Sequence, residues 1–176
     1  MEELAGGRFD LAREAEVILS AYLHSPLYRS IALQQKYAEY AFRLPLLQDA
    51  EHSYMITGFI DAITVDSSGG LRIIDYKSGK PPRKNEMNKG YAWQLALYRM
   101  ALEHLLQICG KSSLHVAGAS LHYLQDQSER VLPEKDYRQE ILQVCREIAG
   151  KKNEGDFSIR TEHCAGCPFA YMCRRD

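Results

Sequence analysis

The sequence predicts an α/β (α+β) domain with the element order α-β-β-β-α-β-α and a tail that carries three cysteines. Three observations predict it. Residues 37–77 hold three consecutive strand-like segments, residues 90–108 follow with a long helical stripe, and 176 residues with 45% hydrophobic content suffice for one core. The whole chain, 1–176, therefore reads as one domain, with its core over about 10–125.

Residues 10–31 form the first expected helix, with Leu11, Ala15, Ile18, Leu19 and Tyr22 at helical spacing and Pro26 interrupting its end. Over 37–46, Tyr40, Phe42, Leu44 and Leu46 point one way and Glu39 and Arg43 the other, as in a half-buried strand. Residues 54–65 are apolar on both alternating faces, as in a central strand covered on both sides. Asp66-Ser67-Ser68-Gly69-Gly70 is turn chemistry, and Leu71–Lys77 completes a hairpin. A basic loop runs from Ser78 to about Lys89. The helix over 90–108 carries Leu95, Tyr98, Leu102 and Leu105 on one stripe. A strand over 114–124, a helix over 134–149 and the cysteine tail over 156–176 finish the chain.

With 22 basic against 23 acidic residues the net charge is −1, which excludes a wholesale polycation; any nucleic-acid contact must come from a local patch. No apolar run reaches the ~18 residues of a membrane span, so no membrane partner is expected. The start, Met1-Glu2-Glu3-Leu4, lacks the basic-then-apolar pattern of an export signal. Five cysteines, an odd number, then point to a reducing cytoplasm, with thiols as metal ligands or core residues.

The chemistry begins with the hairpin. If the loop is Asp66–Gly70, residues whose numbers sum to 136 are paired, and Asp61 faces Asp75. Directly opposed residues have Cβ atoms roughly 5 Å apart, and like charges there destabilise a sheet. Phe59, Ile60, Ile63, Ile73 and Ile74 desolvate the pair, so a cation is expected beside it. Lys77 shares the face of Asp75, but one ammonium does not neutralise two carboxylates. A hard divalent ion on oxygen ligands, Mg²⁺ or Mn²⁺, completes the set. The alternative is a structural ion cluster. The apolar setting and the fact that Asp75-Tyr76-Lys77 is the chain's only acidic-x-Lys triplet favour the metal.

Gly58-Phe59-Ile60-Asp61, then Ile74-Asp75-Tyr76-Lys77-Ser78-Gly79-Lys80, then Gln94-Leu95-Ala96-Leu97-Tyr98 resemble the G-x-x-D, D-x-K and Q-x-x-x-Y motifs of the PD-(D/E)XK nuclease superfamily. The branch they resemble is the RecB/AddB-type nuclease domain of bacterial helicase–nucleases. The likeness runs from about Leu23 to the end. It implies a restriction-endonuclease-like αβββαβ core around a mixed sheet. It also implies metal held by Asp61, Asp75 and the Tyr76 carbonyl, with Lys77, Gln94 and Tyr98 completing the catalytic set. Gln94 and Tyr98, at i and i+4, share one helix face; Tyr98 reads equally as a core tyrosine. Glu39 is either an exposed strand glutamate or a third acid. The loop with Lys77, Lys80, Arg83, Lys84 and Lys89 against Glu86 is either a solvated run or a phosphate track.

Cys164, Cys167 and Cys173, preceded by His163, have metal-ligand spacing. The resemblance implies a [4Fe–4S] cluster on these three cysteines and a fourth from upstream. The chain has no such fourth ligand: Cys109 and Cys145 read as buried small hydrophobes. A zinc site with His163 is the other option. The family also has a histidine in its first helix, and His24, His52, His104, His115, His122 and His163 all fall elsewhere. Both missing pieces lie upstream, so a fragment of a longer chain is expected, with an incomplete cluster. The function implied is a metal-dependent DNA nuclease, exonucleolytic, working with an ATP-dependent helicase in recombination and repair. A catalytically silent module that grips DNA or a helicase, a CRISPR-adaptation-type exonuclease and a metal–cysteine scaffold are the alternatives.

Overall fold

The computed structural model describes residues 2–48, 52–82 and 87–155, with side chains from residue 10 onward. The cysteine tail, and with it Cys164, Cys167, Cys173 and His163, lies outside the described residues, as do Arg83, Lys84 and Glu86 of the basic loop. Five strands form one mixed sheet in the order β1 (Gln35–Gln48), β2 (Ser53–Val65), β3 (Gly70–Lys77), β4 (His115–Tyr123), β5 (Ser128–Val131). Neighbours are antiparallel except β3 and β4, which run parallel because helix α3 (Lys89–Ile108) carries the chain between them. Helices α1 (Glu2–Leu23) and α2 (Pro26–Ile31) precede the sheet, and α4 (Arg138–Glu154) follows it. Among the described residues, no helix is long and apolar enough to cross a membrane.

The period of two sorts β3 between two layers. Leu71 and Ile73 face α3, packing in one core with Leu95, Tyr98, Leu102, Ile60, Leu121 and Ile141. Ile74 and Tyr76 face the other way, against Tyr22, Leu27 and Ile31 of the first two helices. Asp75 and Lys77 therefore share the α3 side of the sheet, as their spacing predicts.

Several expectations are corrected. The helix expected over 10–31 is two helices: Ser25 accepts the Tyr28 backbone N–H at 3.1 Å, and Pro26 takes the first helical position, where its missing N–H costs nothing. Pro26 thus begins a helix rather than ending one. Strand β2 is covered on both faces only from Ile60 onward; its first half is bound to β1 alone, and Phe59 is 60% exposed, so it does not desolvate the acids. The edge strand β5 has no counterpart in the expected order, because Ser128-Glu129-Arg130-Val131 carries no apolar alternation and is ordered by pairing with β4. Helix α4 starts and ends about four residues later than the expected 134–149. Cys109, at the end of α3, is exposed instead of buried, whereas Cys145 packs half-buried against the core.

The glycine of the first motif has a packing reason. Gly58 stands opposite Phe42, and a Cβ there would lie 2.9 Å from the Phe42 ring. The bare backbone lets Phe42 lie across β2 and meet Tyr98 edge-on, ring centroids 5.7 Å apart. Gly58→Ala should therefore lower stability by about 1–3 kcal/mol, the range of core overpacking. In a Phe42→Leu background the same change should cost clearly less, as sites that share one space are non-additive. Denaturant unfolding of the four variants measures this.

Candidate active site

The site starts from a turn. The Asp66 carboxylate accepts from the backbone N–H of Ser68 at 2.8 Å, the Ser68 hydroxyl at 2.6 Å and the backbone N–H of Gly70 at 3.0 Å. These bonds, the Ser68 hydroxyl foremost, hold its pKa below the usual carboxylate value. Gly69 supplies the positive φ of 85°. The turn sets the register Val65↔Leu71, Thr64↔Arg72, Ile63↔Ile73 and Ala62↔Ile74, the expected sum of 136.

At the next position the ladder stops, so the direct cross-strand pairing expected of Asp61 and Asp75 is not made. Strand β2 stays paired with β1 back to Ser53, while β3 stays paired with β4 on to Lys77, and the two separate. The Tyr76 backbone N–H donates at 2.9 Å to Asp61 Oδ2, so a side chain takes the place of a strand at the fork.

Asp75 is 1% exposed. Burial pushes its carboxyl pKa up, and the negative charge of Asp61 adds to this; the Lys77 ammonium pulls it back. Lys77 Nζ lies 2.6 Å from Asp75 Oδ2, an ion pair without hydrogen-bond alignment. Lys77 also donates to Gln94 Oε1 at 3.1 Å, and Gln94 Nε2 donates to the Tyr98 hydroxyl at 2.9 Å. Because an ammonium only donates, the Gln94 amide has one orientation. Burial raises the Tyr98 pKa, so its hydroxyl stays protonated.

The structure thus brings together Asp61, Asp75, Lys77, Gln94 and Tyr98 from two strands and a helix. One neighbour, Tyr91, lies outside the motifs. Tyr91 holds its ring 4.5 Å from Lys77 Nζ; it lies three residues before Gln94, and extending the Gln94–Tyr98 face one turn back finds it. Tyr76 turns its side chain to the opposite face, where its hydroxyl meets that of Tyr22 at 2.6 Å above buried His122.

Glu39 falls opposite Asp61 in the β1–β2 register, between Ala38↔Ala62 and Tyr40↔Ile60, but its φ of 50° breaks the pleat and it is exposed. Among the described residues no third His, Cys, Asp or Glu side chain joins a cluster with the two acids. The oxygen donors that remain suit a hard divalent cation: the Asp61 and Asp75 carboxylates, the latter with a buried oxygen lacking an aligned donor.

At neutral pH the ionised Asp75 is a cost to the fold, since its pKa is raised relative to the unfolded chain. In the absence of metal, Asp75→Asn should therefore melt at a higher temperature than wild type near pH 7. The gap should close as pH falls through the raised pKa towards 3.8, where wild-type Asp75 becomes neutral; thermal melts across that window test the sign.

Residues 7–174 match the PD-(D/E)XK nuclease superfamily. No curated protein matches the chain. Among solved structures, the crystal structure of SSO0001 superposes with a TM-score of 0.56 at 17% identity, covering 93% of this chain and 68% of that one, a likeness of fold. The family match spans nearly the whole sequence, and the mixed sheet with its helices agrees with it: the chain belongs to the PD-(D/E)XK nuclease superfamily.

Proposed function

We propose that this domain is a Mg²⁺- or Mn²⁺-dependent DNA nuclease that hydrolyses phosphodiester bonds exonucleolytically. The observation that carries the reading is the juxtaposition at the strand fork of Asp61 and buried Asp75 with Lys77, inside a chain of the nuclease superfamily. Two acids converging on one apolar-backed notch are costly to the fold unless an ion or a reaction uses them.

Asp61, Asp75 and the Tyr76 carbonyl would hold the ion. When bound, a divalent cation polarises a phosphoryl oxygen and lowers the pKa of a water. The chain's own residues do the rest. Lys77 has three N–H donors; one is directed to Gln94, and the one that lies by Asp75 would be released to the attacking water or a phosphoryl oxygen when a cation takes that carboxylate. Gln94, held by Tyr98, fixes where that ammonium sits. Water oxygen bonds to phosphorus, the ester P–O bond breaks, and the departing oxygen keeps the electron pair and takes up a proton. The products are a phosphate monoester and a free hydroxyl. The motif order supports a place beside an ATP-dependent helicase in DNA recombination and repair, as in the RecB/AddB-type domains that the sequence resembles.

Two variants separate binding from chemistry. Lys77→Ala should bind Mn²⁺ in calorimetry and cut end-labelled linear DNA at least ~100-fold more slowly, the range for loss of one transition-state donor. Asp61→Asn should lose both the heat of Mn²⁺ binding and the cutting. Equal cutting by Lys77→Ala and wild type overturns the assignment; a folded wild type that binds DNA and cuts none identifies a silent binding module.

A further inference from the structure

We propose that Tyr91 is a positioning residue that holds Lys77 in place when a cation occupies the two acids; the proposal rests on the nuclease reading above. Among the described residues the Lys77 ammonium lies close to Asp75 Oδ2 at 2.6 Å, Gln94 Oε1 at 3.1 Å, and the Tyr91 ring, whose centroid is 4.5 Å away. Asp75 has a second use. A divalent ion on its carboxylate neutralises the anion that draws Lys77 in, and its charge pushes the ammonium away. Gln94 is a single neutral acceptor. Among the described residues the ring faces no other cation, and its negative face attracts the ammonium whatever the charge state of Asp75.

The ring is built to stay there. Tyr91 sits in the first turn of α3, which Asn88 closes by accepting the Gly90 backbone N–H on its side chain at 2.8 Å and the Ala92 N–H on its carbonyl at 2.9 Å. The other cation of that turn is engaged elsewhere, Lys89 lying over the Trp93 ring at 4.6 Å. At 38% exposure Tyr91 is not a core residue whose position packing alone explains. The hydroxyl takes no part in the contact, so the ring is what matters.

The experiment compares the 176-residue chain with its Tyr91→Leu and Tyr91→Phe variants in two readouts. In steady-state cleavage of linear DNA with Mn²⁺, Tyr91→Leu should lower kcat about tenfold, the size of a partly desolvated cation–π contact, and leave KM for DNA within about twofold. Tyr91→Phe should recover most of that loss. In NMR of the metal-free chain, the Lys77 ε-methylene protons, assigned by their disappearance in Lys77→Arg, should lie upfield of the position of a lysine with no ring beside it, as should those of Lys89 over the Trp93 ring. The Lys77 protons should keep that position in Tyr91→Phe and lose it in Tyr91→Leu. An ordinary Lys77 shift in wild type overturns the contact. Unchanged kcat in Tyr91→Leu, a loss confined to KM, or a loss in Tyr91→Phe as deep as in Tyr91→Leu overturns the positioning role. A wild type that shows the upfield signal and cuts no DNA overturns the nuclease reading, and the catalytic role of Tyr91 with it.

Discussion

The fork between β2 and β3 is the constraint on which the site depends. Each strand has a partner that the other does not share, β1 for one and β4 for the other, and these pairings draw them apart one residue beyond Ala62↔Ile74. Parting strands leave backbone groups without ladder partners, which is costly where water is excluded. The Asp61 carboxylate accepts the Tyr76 N–H and so closes the apex. The same bond fixes Asp61 beside Asp75. A structural requirement and a chemical one are thus met by a single side chain.

The electrostatics of the site run against stability. Asp75 lies in the α3-side core, where burial and a second carboxylate both favour its neutral form. Lys77 offsets this in part, and it is tied through Gln94 to Tyr98, whose ring meets Phe42 over Gly58. The three motifs are therefore one physical object. Gly58 makes room for Phe42, Phe42 supports Tyr98, Tyr98 orients Gln94, and Gln94 holds the lysine of the second motif.

Much of this was legible in the sequence because it follows from small integers. The five-residue turn fixed the sum of 136, the period of two placed Lys77 with Asp75, and the i, i+4 spacing placed Gln94 with Tyr98. What was not legible depends on tertiary context. Strand β5 is polar and exists because β4 offers an edge. Phe59 belongs to an apolar run, yet the part of β2 before the fork has no β3 over it. Pro26 reads as a breaker until Ser25 is seen capping the turn that follows. Glu39 has the right register for a third acid, but its left-handed backbone takes it out of the pleat. Tyr91 carried a detectable signal, three residues before Gln94, though nothing in the spacing marks its ring as a partner for an ammonium.

The most direct test of the account is where a divalent ion binds. Crystals of the chain soaked in Mn²⁺ and measured at the manganese absorption edge should show one strong anomalous peak between the Asp61 and Asp75 carboxylates, beside the Tyr76 carbonyl. They should also show Lys77 remaining against the Tyr91 ring. A peak bound elsewhere, or Mn²⁺-saturated crystals in which the two carboxylates keep only Lys77 and the Tyr76 N–H, would contradict it.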